Sequence, residues 1–296
     1  MAVPTESQLN AATLTPARHP LDPLTPEEIA EAAAILKTQR DLGARVRFET
    51  IVLQEPAKET VLNFRTGDLI HREAFIVILD NDAGATYEAV ISLDQGKVTS
   101  WQHIPGVQPR IMFDEFGDCE AAVKANPEFQ AAIKKRGITN SDLVMVDPWS
   151  AGNYGFEEEK GRRLVLARSF LRSSPTDNGY ARPIEGVTAV VDLNSMEVVR
   201  VDDYGVVPLP PSPGNYASEF VGEFRKDLKP LEIAQPEGTS IQVVGYGVTW
   251  QKWHLRIGFT PREGLVIHNI GYNDQGRVRP IVYRASLSDM VVPYGD

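Results

Sequence analysis

Hydrophobic and polar positions in the first hundred residues predict one helix followed by antiparallel strands. In LTPEEIAEAAAILKTQ, Thr25 can act as the N-cap, Pro26 suits the first turn, and Glu28 completes a capping box. Three extended runs follow: RVRFETIVL alternates, EAFIVILD is continuously apolar, and YEAVISLDQGKVTSWQHI contains a turn at Asp94 to Gly96. This order predicts an α+β module of about 100 residues.

The same pattern recurs about one hundred residues further along the chain. The hairpin VTAVVDLNSMEVVRVDDY matches the earlier one at equivalent positions, for example Ala89 with Ala189 and Leu93 with Leu193. Ahead of it, NPEFQAAIKKRG predicts a helix that Gly137 ends, and DLVMV and RRLVLARSFL predict strands. The chain therefore contains two copies of one helix-plus-meander module.

A proline-rich run separates these modules from a third region. VVPLPPSPGNY contains four prolines and cannot form a central strand, whereas the β-rich stretches beyond it predict the first strands of a larger sheet. Because apolar residues continue to the final Tyr-Gly-Asp, we expect either a terminal strand or a polypeptide that continues. The predicted segments are a flexible N-terminal arm (1–18), a first small domain (19–104), a second small domain (105–205), a linker (206–219) and an incomplete β-domain (220–296).

Composition and charge narrow the class of protein. The content of 42% hydrophobic and 24% charged residues is typical of globular domains. A formal net charge of -10, from 40 acidic and 30 basic residues, argues against nucleic-acid binding. No apolar run reaches the roughly 18 residues of a membrane span, and the N-terminus lacks the order of a signal peptide. We expect a cytoplasmic protein with no membrane partner, and peroxisomal targeting is the alternative.

Residues typical of catalytic sites are sparse. Cys119 is the single cysteine and is expected to be a buried or idle thiol, and the five histidines are too scattered to form a local metal clamp. The charged runs at Asp202–Asp203 and 156–163 are expected to mark solvated edges. One segment differs: VMVDPWSAGNYG places Asp147, Pro148 and Trp149 at the end of an apolar strand. There the rigid proline and the large aromatic ring could line a pocket, or the tryptophan could close a core.

Several longer segments together resemble the copper-containing amine oxidases. In their order along the chain, with other residues between them, these segments are HPLDPLTPEEI, VDPWSAG, GRRL, QPEG, WQKWHLRIGFTPREGLVIHNIGYNDQGRVRPI and RASLSDMVVPYGD. The resemblance implies an α+β fold: two tandem cystatin-like domains, each a helix plus an antiparallel meander, followed by the first strands of a large β-sandwich catalytic domain.

The resemblance also implies an activity and its cofactors. Complete members of the family use copper(II) and topaquinone to convert a primary amine, water and dioxygen to an aldehyde, ammonia and hydrogen peroxide, and a homodimer is expected. The family's copper ligands include an H-x-H pair and its quinone arises from N-Y-[DE]-Y, and neither motif occurs in this sequence. We therefore expect no metal ligand here and no catalysis by this chain alone. The alternative is a stand-alone binding or assembly module.

Five residues carry over from the family's pattern. Tyr294 corresponds to a tyrosine whose phenol donates a hydrogen bond to an oxygen of the quinone. Pro148 and Trp149 correspond to residues lining the amine channel, and Phe116 and Tyr180 join them by approximate alignment. Asp296 is not the family's catalytic base, which lies further along the family's sequence.

Overall fold

A capped helix, α1 (Pro26–Gln39), opens the first small domain as the sequence predicts. Its N-terminus is closed by a reciprocal pair: the Glu28 N–H donates to Thr25 Oγ1 at 3.2 Å, and the Thr25 N–H donates to Glu28 Oε2 at 2.8 Å. Ala32 and Leu36 are fully buried on the inner face of the helix. The predicted capping box and apolar face are confirmed.

The computed structural model describes residues 19–152, 154–212 and 214–292. Contacts between Cα atoms divide the chain into two compact units. The first unit comprises residues up to Ile78, Tyr87–Ile104 and the chain from Glu232 onward. The second unit comprises Leu79–Thr86 and Pro105–Leu231.

The first small domain contains a sheet of four strands in sequential order. Its core joins α1 to the inner faces of the strands through residues such as Leu36, Ile76 and Ile91. A short helix between the first two strands was not predicted, because its N-cap is Ala57, which has no side chain able to cap. The elements after α1 are β1 (Val46–Leu53), α2 (Lys58–Asn63), β2 (Glu73–Asp80), β3 (Ala85–Ser92) and β4 (Lys97–Ile104).

The second small domain repeats this plan with two helices on a sheet of four sequential strands. The predicted helix ends before Gly137, whose φ of 77° is the left-handed conformation of a C-terminal glycine. The other helix was missed, because it begins after an apolar residue, Met112, and contains Gly117. The elements are α3 (Phe113–Ala125), α4 (Pro127–Lys135), β5 (Val144–Ser150), β6 (Leu164–Leu171), β7 (Val187–Asp192) and β8 (Glu197–Asp203).

The predicted repeat is visible in the last hairpin of each sheet. When one hundred is subtracted from the residue numbers of β7 and β8, these strands begin and end at nearly the same positions as β3 and β4. Their turns also correspond, because Gly96 and Met196 both have a φ of 60°. Cys119 lies in the second domain's core, where burial and the nearby carboxylates of Glu120 and Glu115 raise the pKa of its thiol to about 12. The expectation of a buried thiol is confirmed.

The third region forms a five-stranded antiparallel meander in which each strand pairs with the next. Residues 287–292 follow the last strand without joining a sheet. The α+β fold class predicted from the sequence is confirmed. A short helix, α5 (Ser218–Val221), precedes the strands β9 (Ile241–Val244), β10 (Gly247–Trp250), β11 (Trp253–Thr260), β12 (Gly264–Asp274) and β13 (Arg277–Ser286).

The expectation that both charged runs mark solvated edges is wrong for one residue, Arg163, of the run 156–163. Arg163, from the first run, is buried and pairs with the fully buried Glu115. Asp203, from the other run, accepts a hydrogen bond from buried Arg136 at 2.9 Å and one from Lys135 at 3.0 Å. These bonds lower the pKa of Asp203. Asp203 nevertheless stays exposed, so its run lies at an edge, whereas a partner distant in sequence keeps Arg163 out of solvent.

Candidate functional site

The candidate site lies at the exit of β5, defined here as residues 147–150. β5 is an edge strand of its sheet, so every second backbone N–H points away from β6. The outward N–H of Val146 donates to Glu120 Oε2 on α3 at 2.9 Å. Pro148, two residues further on, occupies the next outward position and has no N–H, so this proline fits an edge strand without losing a ladder hydrogen bond.

Side chains at the exit of β5 alternate between the two faces of the sheet. Val144, Val146 and Pro148 are buried on the face that carries the helices. Asp147 and Trp149 point to the opposite face. Pro148 and Trp149 are therefore adjacent in sequence but belong to different surfaces.

Phe116 lies on the helix side of this exit. The preceding residue, Glu115, contacts Arg163 at the start of β6, where Ser150 of β5 pairs with Val165. The N-terminal end of α3 is thus next to the C-terminal end of β5. Phe116 is 37% exposed and lies one helical turn before Glu120, on the side of the helix that faces the strand edge.

Asp147 joins Trp149 and Tyr180 on the other face. Its Oδ2 atom accepts a hydrogen bond from Trp149 Nε1 at 2.9 Å and another from the Tyr180 hydroxyl at 3.2 Å. Trp149 is 54% exposed and Tyr180 is 56% exposed, so neither ring belongs to the domain core. Burial of the phenol and the neighbouring Asp147 carboxylate raise the pKa of Tyr180, which keeps its hydroxyl protonated as a donor.

A structured loop holds Tyr180 in place. The Tyr180 N–H donates to Asn178 Oδ1 at 2.8 Å, and Asn178 Nδ2 donates to the Gly214 carbonyl at 3.0 Å. Gly179 has a φ of 75°, and a Cβ there would lie 3.2 Å from the Arg172 side chain, so the loop requires glycine. The Tyr180 ring packs edge-on against Phe170 with centroids 4.9 Å apart.

The structure places four of the five predicted site residues around β5, on its two faces. Trp149 and Tyr180 share a partner on one face, while Phe116 and Pro148 lie at the helix side of the same strand end. The fifth residue, Tyr294, lies outside the described residues. Their role along an amine path stays a prediction.

Two contributors to this site were not singled out for a role from sequence. Asp147 was noticed only as a neighbour of Pro148, although its spacing of two residues from Trp149 places both side chains on one face of a strand. Phe170 follows the same alternation on β6, directly across from Met145 of β5. The alternation of side chains along β5 and β6 predicts that Asp147, Trp149 and Phe170 share one face of the sheet. No local sequence pattern predicts that the loop at Tyr180 packs on that face.

The first unit contains a separate group of charged side chains. Arg284 donates to Glu55 Oε2 at 3.0 Å and to Glu263 Oε2 at 2.6 Å, and His268 Nε2 lies 3.2 Å from Glu55 Oε1. The bonds from Arg284 lower the pKa of Glu263 to about 2. Burial acts in the opposite direction on Glu55, but its bonds with His268 and Arg284 lower the pKa of that carboxyl. These charges satisfy one another, which indicates a structural role.

Across the described residues, no group of three or more His, Cys, Asp or Glu side chains is arranged to hold a metal ion. The side chains present here therefore do not fit a copper centre. In the same part of the chain, no helix is long and apolar enough to cross a membrane.

Comparisons with known protein families decide the identity. Three family models match consecutive stretches of the chain: copper amine oxidase, N2 domain, over residues 19–104; copper amine oxidase, N3 domain, over 114–220; and copper amine oxidase, enzyme domain, over 242–296. The chain belongs to the copper amine oxidase family. Within this copper amine oxidase chain, α3 and the exit of β5 both lie in the stretch that matches the N3 domain.

Individual relatives agree with the family match. The chain is 49% identical over 279 residues to a primary amine oxidase of Arthrobacter sp. (strain P1), covering 94% of this chain and 42% of the relative. It is 40% identical over 321 residues to diamine oxidase [copper-containing] 1, peroxisomal, of Nicotiana tabacum, covering 94% of this chain and 41% of the relative. This copper amine oxidase chain thus spans less than half the length of both relatives.

A solved structure gives the same result for the fold. The copper-containing benzylamine oxidase from Hansenula polymorpha matches with a TM-score of 0.77 and 27% identity, over 94% of this chain and 46% of that chain. The predicted family and the arrangement of small domains before the start of a catalytic domain are confirmed.

Proposed function

We propose that the chain supplies the N-terminal part of a primary amine oxidase that depends on copper and topaquinone. The observation that carries this proposal is the sequential match of the N2, N3 and enzyme domains along one chain. The whole reaction would convert a primary amine, water and dioxygen to an aldehyde, ammonia and hydrogen peroxide. Among the described residues, no feature favours the alternative, a stand-alone binding or assembly module.

In a complete enzyme, the quinone would supply an electron-accepting carbonyl and copper would support the reaction with dioxygen. The sequence contains neither H-x-H nor N-Y-[DE]-Y. We infer that both cofactors are held by enzyme-domain residues other than those of this chain. The contribution of this chain is then to bind the amine and guide it.

The exit of β5 suits that contribution. Trp149 and Tyr180 present large rings on one face, and Phe116 presents a third ring on the side of α3. Aromatic walls displace water from an apolar amine and favour its neutral form, which is the nucleophilic form. We therefore assign Trp149 and Tyr180 to the substrate path, and the resemblance to the family supports adding Phe116 and Pro148 at the helix side of the same strand.

The activity is tested with a polypeptide that continues through a complete enzyme domain, purified after copper loading. Peroxide and aldehyde should form in equal amounts from a primary amine, whereas the chain of 296 residues should form neither and should bind no equivalent of copper. Absence of peroxide from the copper-loaded longer polypeptide across several primary amines would contradict the proposal.

The substrate path is tested by Trp149→Ala in that longer polypeptide. Because the indole is half exposed, we expect the preference between small and bulky amines to change while the free energy of unfolding falls by less than about 1 kcal/mol. Truncation of a core tryptophan would instead cost about 3 to 5 kcal/mol. A large loss of stability with unchanged preference would remove Trp149 from the path.

Tyr294 is proposed to donate a hydrogen bond to the quinone. Tyr294→Phe keeps the ring and removes the donor, so kcat should fall about 10- to 1000-fold while copper content remains unchanged. The visible absorbance of the cofactor should also shift. Wild-type kcat and absorbance would show that Tyr294 only packs.

The assembly and the compartment are also inferred. We infer a homodimer with primary amines and dioxygen as its partners, which light scattering of the purified longer polypeptide would test. The tobacco relative's name includes a peroxisomal location. We infer a cytoplasmic location for this protein, with the peroxisome as the alternative, and imaging of a tagged protein in its own cell distinguishes the two.

A further inference from the structure

A single carboxylate oxygen ties the two exposed rings of the site together. Oδ2 of Asp147 accepts from Trp149 Nε1 and from the Tyr180 hydroxyl. The indole has only one N–H and the phenol only one O–H, so each ring commits its whole donor capacity to this atom. Hydrogen bonds to a charged acceptor are stronger and more directional than those between neutral groups.

The two rings differ in how well other contacts hold them. Tyr180 is fixed by Phe170 against its ring and by Asn178 at its backbone. Trp149 is the penultimate residue of β5, half exposed, and its hydrogen bond reaches back two residues along its own strand. Asp147 binds both the held Tyr180 hydroxyl and the indole N–H. It therefore restricts an indole that could otherwise change its rotamer.

The charged residue opposite Asp147 does not compete for its carboxylate. Arg168 lies directly across from Asp147 in the register of β5 and β6. Its Nη1 donates to Thr188 Oγ1 at 3.2 Å, so the guanidinium reaches across β6 toward β7. The side-chain hydrogen bonds that Asp147 makes are those with the two rings. Holding these rings is therefore the role that the contacts of Asp147 support.

We propose that Asp147 is a positioning residue that holds Trp149 and Tyr180 as one aromatic pair and thereby determines how bulky an amine can pass the exit of β5. The first half of the proposal, that Asp147 holds the two rings, concerns the 296-residue chain itself. The second half rests on the proposed function, because it requires that this exit lies along the amine path.

The first half is tested by 19F NMR of the 296-residue chain labelled with 5-fluorotryptophan. The sequence contains four tryptophans, so four signals are expected, and Trp149→Phe identifies the relevant one. Asp147→Ala should move the Trp149 signal toward the free amino acid and narrow it, leaving the other three unchanged. Tyr180→Phe should shift the same signal, because the Asp147 carboxylate loses the second donor that fixes its orientation.

Asp142→Ala is the matched control, since Asp142 is exposed just before β5 in the same unit. It should leave all four signals in place. An unchanged Trp149 signal in Asp147→Ala would overturn the proposal. If that variant moves every signal, Asp147→Leu replaces it, because leucine is of similar size and has no hydrogen-bond acceptor. An unchanged Trp149 signal in the Leu variant would then overturn the proposal.

The second half is tested by steady-state kinetics of the longer, copper-loaded polypeptide. Asp147→Leu, which removes the acceptor, should change the ratio of kcat/KM for benzylamine to that for methylamine about 10-fold, mainly through KM. In a Trp149→Phe background, where the indole donor is gone, the same substitution should change the ratio less than 2-fold. An unchanged ratio in the wild-type background would overturn the selective role.

The two possible failures are distinguishable. If the longer wild-type polypeptide oxidises no amine, the proposed function fails, while the NMR result still decides whether Asp147 positions Trp149. If amines are oxidised but the ratio does not respond to Asp147→Leu, the proposed function stands and the selective role of Asp147 is wrong.

Discussion

Ion pairs in the second unit should differ widely in how much the loss of one partner lowers the free energy of unfolding. The pair of Glu115 and Arg163 is almost completely withdrawn from solvent, and Arg163 Nη2 also donates to the Arg110 carbonyl at 2.7 Å. The pair of Glu157 and Lys160 leaves both side chains mostly exposed. Burial makes the first pair sensitive to the loss of either partner, because a lone charge would remain without solvent.

Glu115→Gln should therefore lower the free energy of unfolding of the second unit by about 3 to 5 kcal/mol, because Arg163 keeps its charge and loses its counter-charge. Urea unfolding followed by circular dichroism measures this change. Glu157→Gln is the matched control and should change the same quantity by less than about 0.5 kcal/mol. Equal effects of the two substitutions would show that the buried pair contributes no more than the surface pair.

At the residue scale, the sequence indicated some site residues but not their contacts. The motif VDPWSAG and the family resemblance indicated Pro148 and Trp149. The hydrogen bond from Tyr180 to Asp147 joins residues 33 positions apart, and the ion pair of Arg163 with Glu115 spans 48 positions. From composition and spacing alone, a charged residue is predicted to be solvent-exposed. Only the tertiary fold shows whether it has a buried partner.

At the scale of single elements, α1 offers a direct test of local stabilisation. Thr25→Ala removes the acceptor for the Glu28 N–H and should lower the free energy of unfolding of the first unit by about 1 kcal/mol. Thermal or urea unfolding measures the loss.

Thr38→Ala is the matched control in the same helix. The Thr38 hydroxyl bonds to the Ala34 carbonyl within the helix at 2.7 Å, and alanine has the higher helix propensity. We expect this variant to be as stable as the wild type or slightly more stable. A loss as large as that of Thr25→Ala would show that the cap is not the cause.

Elements with strong local signals were predicted well, and those without them were missed. α1 has a capping box, α4 starts at a proline after Asn126 and ends before Gly137, and the hairpins have clear turns. α2 has only six residues and no capping side chain, and α3 begins after Met112. Packing against the sheet stabilises such helices, and that contribution is not encoded in the local sequence.

At the scale of the whole chain, His19 links distant parts of the first unit. The Leu21 N–H donates to His19 Nδ1 at 3.1 Å, so this ring nitrogen must carry no proton. Burial lowers the pKa of His19 to about 4, and the nearby charges of Arg256 and His268 act in the same direction while Asp22 opposes them. These neighbours come from both ends of the described sequence.

The first unit should consequently lose stability as pH falls from about 6.5 to 4. Over this range an unfolded histidine binds a proton that folded His19 excludes, so the unfolded state binds more protons and stability rises with pH. His19→Gln should flatten this dependence, measured as the free energy of urea unfolding at several pH values. His103→Gln, which alters an exposed histidine of the same unit, is the control. An unaltered slope in His19→Gln would contradict the assignment.

The order of domains along the chain could be predicted because it depends on repeats and family motifs that survive in the sequence. The repeat at an offset of one hundred predicted two related sheets, and both are present. The sequence did not indicate the group of Glu55, Arg284 and Glu263, because it joins residues more than two hundred positions apart. The predicted boundaries of the segments stay predictions.

The edge of β5 has a consequence for association between chains. An exposed edge strand usually offers free N–H groups to which a strand of another molecule can add. Here Glu120 already occupies the Val146 N–H, and Pro148 has none to offer. A foreign strand would find no two successive donors along this edge. Intermolecular β-pairing, and the aggregation that follows from it, is thereby blocked beside the aromatic pair, which leaves that end of the sheet accessible to small molecules.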